Sequence, residues 1–362
     1  MAGYSKEKKP YIIIPSLNPG EELVDYCKEL ASLGLDKIIV LNDGSGQEYS
    51  HIFNELEGFC TVLTHEQNMG KGEALKDAFK YFLNLPDAND YIGVVTCDSD
   101  GQHLAPDVVN VAESLANGEA KLVLGARDFA SSDVPKKSLI GNKWTTIFFK
   151  VFVGAGVTDT QTGLRGISAD ILPEVAELKG ERYEYEMRML TYAIENKISV
   201  KEVPIEVVYN DNNSGTHYVV KKDAPLVAVA LLGKFVKFAL SGVLSYIVDN
   251  GFFNLFDLVI FAGLANRNAI ITVSAVLARI LSSIFNFILN KKTVFNQNGN
   301  VGSTLARYYA LAAIQLGVST GLVVLLVDLI GLPAGIVKAV IDIIISIISF
   351  NIQKRFVFKN KK

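Results

Sequence analysis

Two carboxylates, Asp98 and Asp100, stand two residues apart in the run Asp98-Ser99-Asp100-Gly101-Gln102. They follow an apolar stretch, Tyr91-Ile92-Gly93-Val94-Val95-Thr96-Cys97, that reads as a buried strand. Desolvation and mutual repulsion would raise both pKa values, so the pair calls for a cation between them. Oxygen ligands suit a hard ion, Mg²⁺ or Mn²⁺. A hard ion at the carboxyl end of an α/β strand usually holds phosphates.

The preceding residues supply a scaffold for such a site. Tyr11-Ile12-Ile13-Ile14-Pro15, Lys37-Ile38-Ile39-Val40-Leu41 and Cys60-Thr61-Val62-Leu63-Thr64 read as strands, with helices at about 21–33 and 49–58 between them. Asn68-Met69-Gly70-Lys71-Gly72 opens a further helix. This alternation predicts a Rossmann-like, mostly parallel sheet with right-handed crossovers, and ligands beyond its strand ends. Asp43, Lys71 and Asp98 all fall at such junctions. No dinucleotide fingerprint follows the first strand, and Gly70-Lys71-Gly72 lacks P-loop spacing.

The motif order resembles the family 2 glycosyltransferases of the GT-A fold, in their polyprenyl-phosphate, dolichol-phosphate mannosyltransferase-like branch. The matching segments are Ile14-Pro15-Ser16-Leu17-Asn18, Asn42-Asp43-Gly44-Ser45, Asn68 to Gly72, Asp98 to Gln102, Gly125-Ala126-Arg127 and Asp159-Thr160-Gln161-Thr162-Gly163-Leu164-Arg165. The resemblance implies that Pro15, Asn18 and Asp43 line the nucleotide and that Lys71 contacts it or its phosphate. It implies that Asp98, Asp100 and Gln102 surround a Mg²⁺ or Mn²⁺ ion, with Asp98 and Ser99 also on the donor and Asp100 catalytic. Asp159 and Gln161 would face the donor sugar. Leu17, Pro19 and Asn42 depart from the Tyr, Glu and Asp usual in the family.

Transfer from a nucleotide-sugar leaves a dianion, which cations must stabilise. A lipid phosphate acceptor is itself largely dianionic at neutral pH and needs no general base. Arg127 suits it as a bidentate phosphate ligand and catalytic cation, with Lys137 and Ser138 as further acceptor contacts beside Lys136. Arg165 could hold the diphosphate or pair with Glu184 or Glu186; the structural pair is favoured. The polar run 209–217 could close over a donor or simply link two domains. His217, within it, has the most attractive position of the four histidines. The single tryptophan, Trp144, stands in Asn142-Lys143-Trp144-Thr145, so the Gln-x-x-Arg-Trp motif of processive synthases is absent.

Beyond Pro225 the chain turns apolar. Four segments, about 235–256, 269–290, 308–330 and 334–353, each carry about 20 residues, enough to span a bilayer core. The run 283–295 resembles 346–358, with Phe287, Lys291, Lys292 and Phe295 matching Phe350, Lys354, Arg355 and Phe358. The segment reads as two duplicated helix hairpins and resembles the GtrA-like membrane family. Residues 1–218 then form the transferase domain, 219–233 a juxtamembrane linker or interfacial helix, and 234–362 the membrane domain. Basic residues crowd the ends shared by both termini, and Met1 to Pro10 carries no apolar signal region. An integral protein of the cell membrane is expected, its catalytic domain and termini cytoplasmic. Asp249, Arg279 and Asp342, within the spans, are expected to form one buried cluster.

The expected activity is inverting transfer of one sugar, from UDP-glucose or UDP-N-acetylglucosamine, to a polyprenyl phosphate (undecaprenyl or dolichyl). GDP-mannose with dolichyl phosphate is the alternative donor pair, and a non-catalytic transport or scaffold protein the alternative class. Partners are the nucleotide-sugar, the lipid phosphate and the bilayer, with a homo-oligomer compatible. A net charge of −3 gives no reason to expect nucleic acid. Cys27, Cys60 and Cys97 show no metal spacing and read as reduced core residues.

Overall fold

The computed structural model describes residues 4, 6–128, 136–154, 156–206, 218–261, 266–330 and 333–359, with backbone alone at 136–138 and 330. The chain divides into two units, Met1–Leu231 and Leu232–Lys362.

The first unit is built on seven strands: β1 (Tyr11–Ser16), β2 (Ile38–Asn42), β3 (Thr61–Thr64), β4 (Gly93–Thr96), β5 (Leu122–Arg127), β6 (Arg165–Ser168) and β7 (Val200–Ile205). Their order is β3-β2-β1-β4-β6-β5-β7. All pairings are parallel except those of β6, which runs antiparallel to β4 and β5. The short Arg-Gly-Ile-Ser strand has no apolar run to announce it.

All six residues of β1 are buried, as a parallel strand covered on both faces requires. Between the strands run α1 (Glu22–Ser32), α2 (Ser50–Leu56), α3 (Lys71–Leu83), α4 (Ala105–Ala116), α5 (Lys136–Phe152), α6 (Leu172–Ala176) and α7 (Glu184–Glu195). Leu23, Cys27 and Leu30 of α1, with Val108, Val111 and Ala112 of α4, pack on Ile12, Ile14, Val40 and Val95 of the sheet. Such burial, at about 25 cal/mol per Å² of apolar surface, fixes the strand ends from which the site residues project.

α8 (Val220–Leu255) continues from the first unit into the second, which also holds α9 (Arg267–Leu289), α10 (Val301–Ile330) and α11 (Ala334–Ile352). With their π-helical extensions, four helices are long and apolar enough to cross a membrane, at 41, 28, 29 and 24 residues. The internal repeat is visible in the packing. α9 and α11 both end in a π-helical turn, at Asn290–Val294 and Gln353–Val357. The repeat partners Phe295 and Phe358 stack with ring centroids 5.0 Å apart, and the buried amides of Asn290 and Gln353 meet at 3.4 Å.

The expected cluster of three charges is not formed. Arg279 pairs with Asp249 at 3.1 Å, and the Ser282 hydroxyl donates to Asp249. Asp342 instead takes Lys338, one turn away on its own helix, at 2.8 Å, and the Ser319 hydroxyl at 2.9 Å. The i,i+4 partner is nearer than any on another helix.

Candidate active site

The strand ends bring one set of polar side chains together. Asp43, just beyond β2, is buried and fully engaged. Its Oδ1 accepts the Met69 amide at 2.8 Å and lies 2.8 Å from His65 Nδ1, while Oδ2 accepts the Gly70 amide at 2.8 Å. His65 Nε2 reaches Asp77 on α3 at 3.2 Å. Asp43 therefore organises the loop that delivers Lys71. Gly70 has φ 98°, a left-handed conformation that suits glycine, and so turns the chain into α3.

Lys71 is the hub of the site. Its Nζ lies 2.6 Å from Asp98 Oδ1, 3.1 Å from Glu186 Oε1, and 5.6 Å from the centre of the Tyr183 ring. Burial alone would lower its pKa, but Asp98 and Glu186 raise it above the usual lysine value. Burial alone would raise Asp98, but the Lys71 charge, with His103 and Arg127, holds it down to about 2. Asp100 goes the other way: burial and the Asp98 charge push it up to about 6. The Gln102 amide donates to Asp100 Oδ1 at 3.1 Å, which shapes the turn. His103 accepts the Asp98 amide on Nδ1 at 3.1 Å, and burial drives its pKa down to about 4.

Arg127, at the end of β5, forks onto Asp159, with Nε to Oδ2 at 2.6 Å and Nη2 to Oδ1 at 3.0 Å. Asp159 is fully buried and also accepts the Gln161 amide at 3.0 Å. Two residues placed by sequence on acceptor and donor sugar are thus each other's partners. Arg165 is buried and donates from Nε to the Thr162 carbonyl and from Nη1 to the Glu186 carbonyl. The favoured pair with a glutamate carboxylate is not formed: the bond to Glu186 goes to its backbone carbonyl.

Near the end of β1, the Asn18 amide donates to Ser45 Oγ at 2.8 Å, and Asn18 Oδ1 accepts the Gly46 amide at 3.1 Å. Asn42 Oδ1 accepts the Ser45 amide at 2.9 Å, so an amide here keeps the acceptor that an aspartate would offer. Pro15 lies in β1 itself, paired with Leu41. The side chains of Lys136, Lys137 and Ser138, and all of His217 with its polar run 209–217, lie outside the described residues. His65, His103 and Tyr183 join the site unannounced, and Glu186 enters as a partner of Lys71. Only the place of His65 and His103 just past a strand or motif could have flagged them.

A divalent cation can be tested against this donor set. Among the described residues the carboxylates of Asp98, Asp100, Asp159 and Glu186 outnumber the cations Lys71, Arg127 and Arg165 beside them. Among the described residues no basic side chain is bonded to Asp100, and burial with the neighbouring Asp98 charge raises its pKa. Among the described residues no group of three or more His, Cys, Asp or Glu is arranged to hold a metal ion, while oxygen donors carrying excess negative charge are the chemistry that suits a hard divalent ion.

Residues 11–175 match the family model for glycosyl transferase family 2. Residues 237–358 match that for the GtrA/DPMS transmembrane domain. The UDP-N-acetylglucosamine–dolichyl-phosphate N-acetylglucosaminyltransferase of Methanococcus voltae is 30% identical over 230 residues, covering 57% of this chain and 88% of that protein. The low-salt glycan biosynthesis hexosyltransferase Agl6 of Haloferax volcanii is 27% identical over 205 residues, covering 54% of this chain and 46% of that protein. Among solved structures, glucosyl-3-phosphoglycerate synthase from Mycobacterium tuberculosis aligns with a TM-score of 0.48 and 18% identity, over 63% of this chain and 78% of that one. The chain is a glycosyltransferase that belongs to glycosyl transferase family 2 and carries a GtrA/DPMS transmembrane domain.

Proposed function

We propose that this chain transfers one sugar from a UDP-sugar, UDP-N-acetylglucosamine or UDP-glucose, to a polyprenyl phosphate at the cytoplasmic membrane face. The observation that carries the reading is the Lys71–Asp98 pair beside Asp100, a polar cluster in a transferase chain that also carries four membrane-length helices. The named activity of the Methanococcus relative favours the N-acetylglucosamine donor. Asp98, Asp100 and Gln102 would hold Mg²⁺ or Mn²⁺, which when bound neutralises the departing diphosphate. A phosphate oxygen of the lipid forms the new bond to the anomeric carbon from the face opposite the diphosphate. The old C1–O bond breaks, and the nucleoside diphosphate leaves with inversion. No proton need be removed from a dianionic phosphate, so the site requires no base. Lys71 orients Asp98, and Arg127 with Asp159 forms the wall toward the acceptor. Lys234, Lys237, Lys291 and Lys292, basic residues near the ends of the apolar stretches, support the cytoplasmic assignment.

The test uses membranes with polyprenyl phosphate and radiolabelled UDP-N-acetylglucosamine, UDP-glucose or GDP-mannose, with EDTA and with Mg²⁺ or Mn²⁺ restored. Lipid-linked label from a UDP-sugar, abolished by EDTA and restored by metal, is expected. Label from GDP-mannose alone would overturn the donor assignment, and label from no donor would overturn the acceptor reading.

A further inference from the structure

The residues that lead into α7 are pressed onto the start of α3. The Glu181 carbonyl accepts the Glu73 amide at 3.1 Å, and the Glu181 amide donates to Glu184 Oε1 at 3.0 Å. A Cβ built at Gly72 would sit 2.8 Å from the Arg182 carbonyl oxygen and 2.6 Å from Tyr185 Cβ, so the close approach needs a glycine there. Tyr183, within this segment, is the residue whose ring faces Lys71 Nζ at 5.6 Å. A ring attracts an ammonium through its quadrupole and leaves the charge unneutralised, available to an anion.

A second hold comes from 41 positions further along the chain. Arg182 forks onto Asp223 of α8, with Nε to Oδ1 at 2.6 Å and Nη2 to Oδ2 at 3.2 Å. The Asp223 side chain is fully buried, and its Oδ2 also accepts the Val219 amide at 2.6 Å, which fastens the first turn of α8. Tyr218, just ahead of that turn, meets Tyr183 edge-on, with ring centroids 5.2 Å apart and planes at 72°. A tether between domains needs no buried carboxylate. Taking one out of water is costly, and only a well-aligned, hydrogen-bonded partner offsets the cost.

We propose that the first turn of α8 is part of the donor site: Asp223, acting through Arg182, positions Tyr183 against Lys71. Asp223 and Tyr218 grip two consecutive residues, so the backbone that carries Tyr183 and its ring are both fixed. Tyr183 then limits where the Lys71 ammonium can go, and Lys71 in turn sets Asp98. Arg182, Tyr218 and Asp223 are thus positioning residues. The helix they fasten runs on to Leu255, within a stretch long and apolar enough to cross a membrane. A catalytic unit cut off before residue 218 would lack this part of its site. The donor role rests on the sugar-transfer reading, whereas the placement of Lys71 does not.

Trace acetylation of the full-length protein in detergent, read by mass spectrometry, reports each lysine amine separately. Asp223→Asn keeps an oxygen for the Val219 amide but turns an amide nitrogen toward the guanidinium and so breaks the fork. In this variant Lys71 acetylation is expected to rise about tenfold. Lys76, also on α3, is as well shielded, at 12% exposure, and pairs with Glu73; its acetylation is expected to stay unchanged. Arg182→Lys keeps the charge without the fork and is expected to fall between wild type and Asp223→Asn. With a donor that the transfer assay accepts, Asp223→Asn is expected to raise the donor KM about tenfold and leave the acceptor KM unmoved. Unchanged Lys71 acetylation in Asp223→Asn would overturn the proposal. So would a parallel rise at Lys71 and Lys76, which would mean a general loosening of the fold. Raised Lys71 acetylation with an unchanged donor KM would confine the fork to the scaffold and overturn its donor role. Acetylation needs no turnover, so failure of this placement and failure of the sugar-transfer reading are told apart.

Discussion

Lys71 Nζ stands 2.6 Å from Asp98 Oδ1, and the same ammonium reaches Glu186 at 3.1 Å. One cation from the start of α3 thus ties the end of β4 to the first turn of α7. The pair is mostly shielded from water, with the Lys71 side chain 16% exposed. Removing one partner from such a pair costs far more than the pair itself contributes, because the remaining charge is left desolvated.

Lys71→Met should therefore destabilise the first unit by about 3–5 kcal/mol. It should also free Asp98 to move and so reduce sugar transfer. Lys71→Arg keeps the charge and should recover part of both losses. Thermal unfolding in detergent, read beside transfer of labelled sugar, checks this. An unchanged melting temperature in Lys71→Met would mean that the pair is not formed.

Gly163 lies against the same carboxylate. A Cβ built there would sit 2.6 Å from Asp98 Oδ2 and 2.9 Å from its Cγ, too close for any carbon. Asp98 cannot yield cheaply, because Lys71 and the turn hold it. Gly163→Ala should leave the fold cooperative while displacing the carboxylate. A displacement near 1 Å at a reacting centre costs about 100-fold in rate, so a fall of that order is expected. Circular dichroism and initial rates measured together decide it; full activity would show that Asp98 does not need its present position.

The strand ends were legible because β-branched runs and short polar turns recur at regular spacing. β-Branched runs located β1 and β2, and the Asp98–Asp100 turn located the end of β4. β6 was not legible, since Gly166 interrupts it and it presents only four residues. His65 and His103 were not legible because one imidazole carries no pattern; His65 acquires meaning only when folding brings Asp43 and Asp77 to it. Arg127 and Asp159 are 32 positions apart, and a cation and an acid at that separation read equally well as two ligand contacts or as one pair. In the membrane helices the i,i+4 spacing of Lys338 and Asp342 did carry the signal, and the internal repeat drew attention away from it to Arg279.

Asp107 gives a pH-dependent prediction away from the site. It lies in the first turn of α4 and accepts the Glu206 amide at 3.0 Å. Burial, aided by the Glu206 charge, raises its pKa above the ordinary value of 3.8. The native state then binds this proton more tightly than the unfolded chain does. Its cost is absent below the ordinary value, grows as pH rises through the raised one, and is fully present at neutral pH. Asp107→Asn removes that cost and keeps a carbonyl for the Glu206 amide. It should melt slightly higher at pH 7, with the gain shrinking toward pH 4. Melting curves across that range check the sign; a gain that grows on acidification would contradict it.

The Arg127–Asp159 fork can be separated into structural and functional parts. Nε and Nη2 are both committed to a carboxylate with no exposure of its own. Arg127→Met leaves that carboxylate buried and unpaired, at about 3–5 kcal/mol. Lys at this position offers a single point charge and cannot reproduce the fork. Arg127→Met with Asp159→Leu removes both charges, and replacing a whole buried pair by apolar residues is often near neutral. The double variant should thus melt well above the Arg127 single variant. If Arg127 only supports the wall, the double variant should also regain its KM for polyprenyl phosphate. If the guanidinium also takes the lipid phosphate, as the proposed function holds, stability returns but the acceptor KM stays high while the nucleotide-sugar KM is little changed. That split is the expected result. Recovery of both stability and acceptor KM would assign Arg127 to the scaffold.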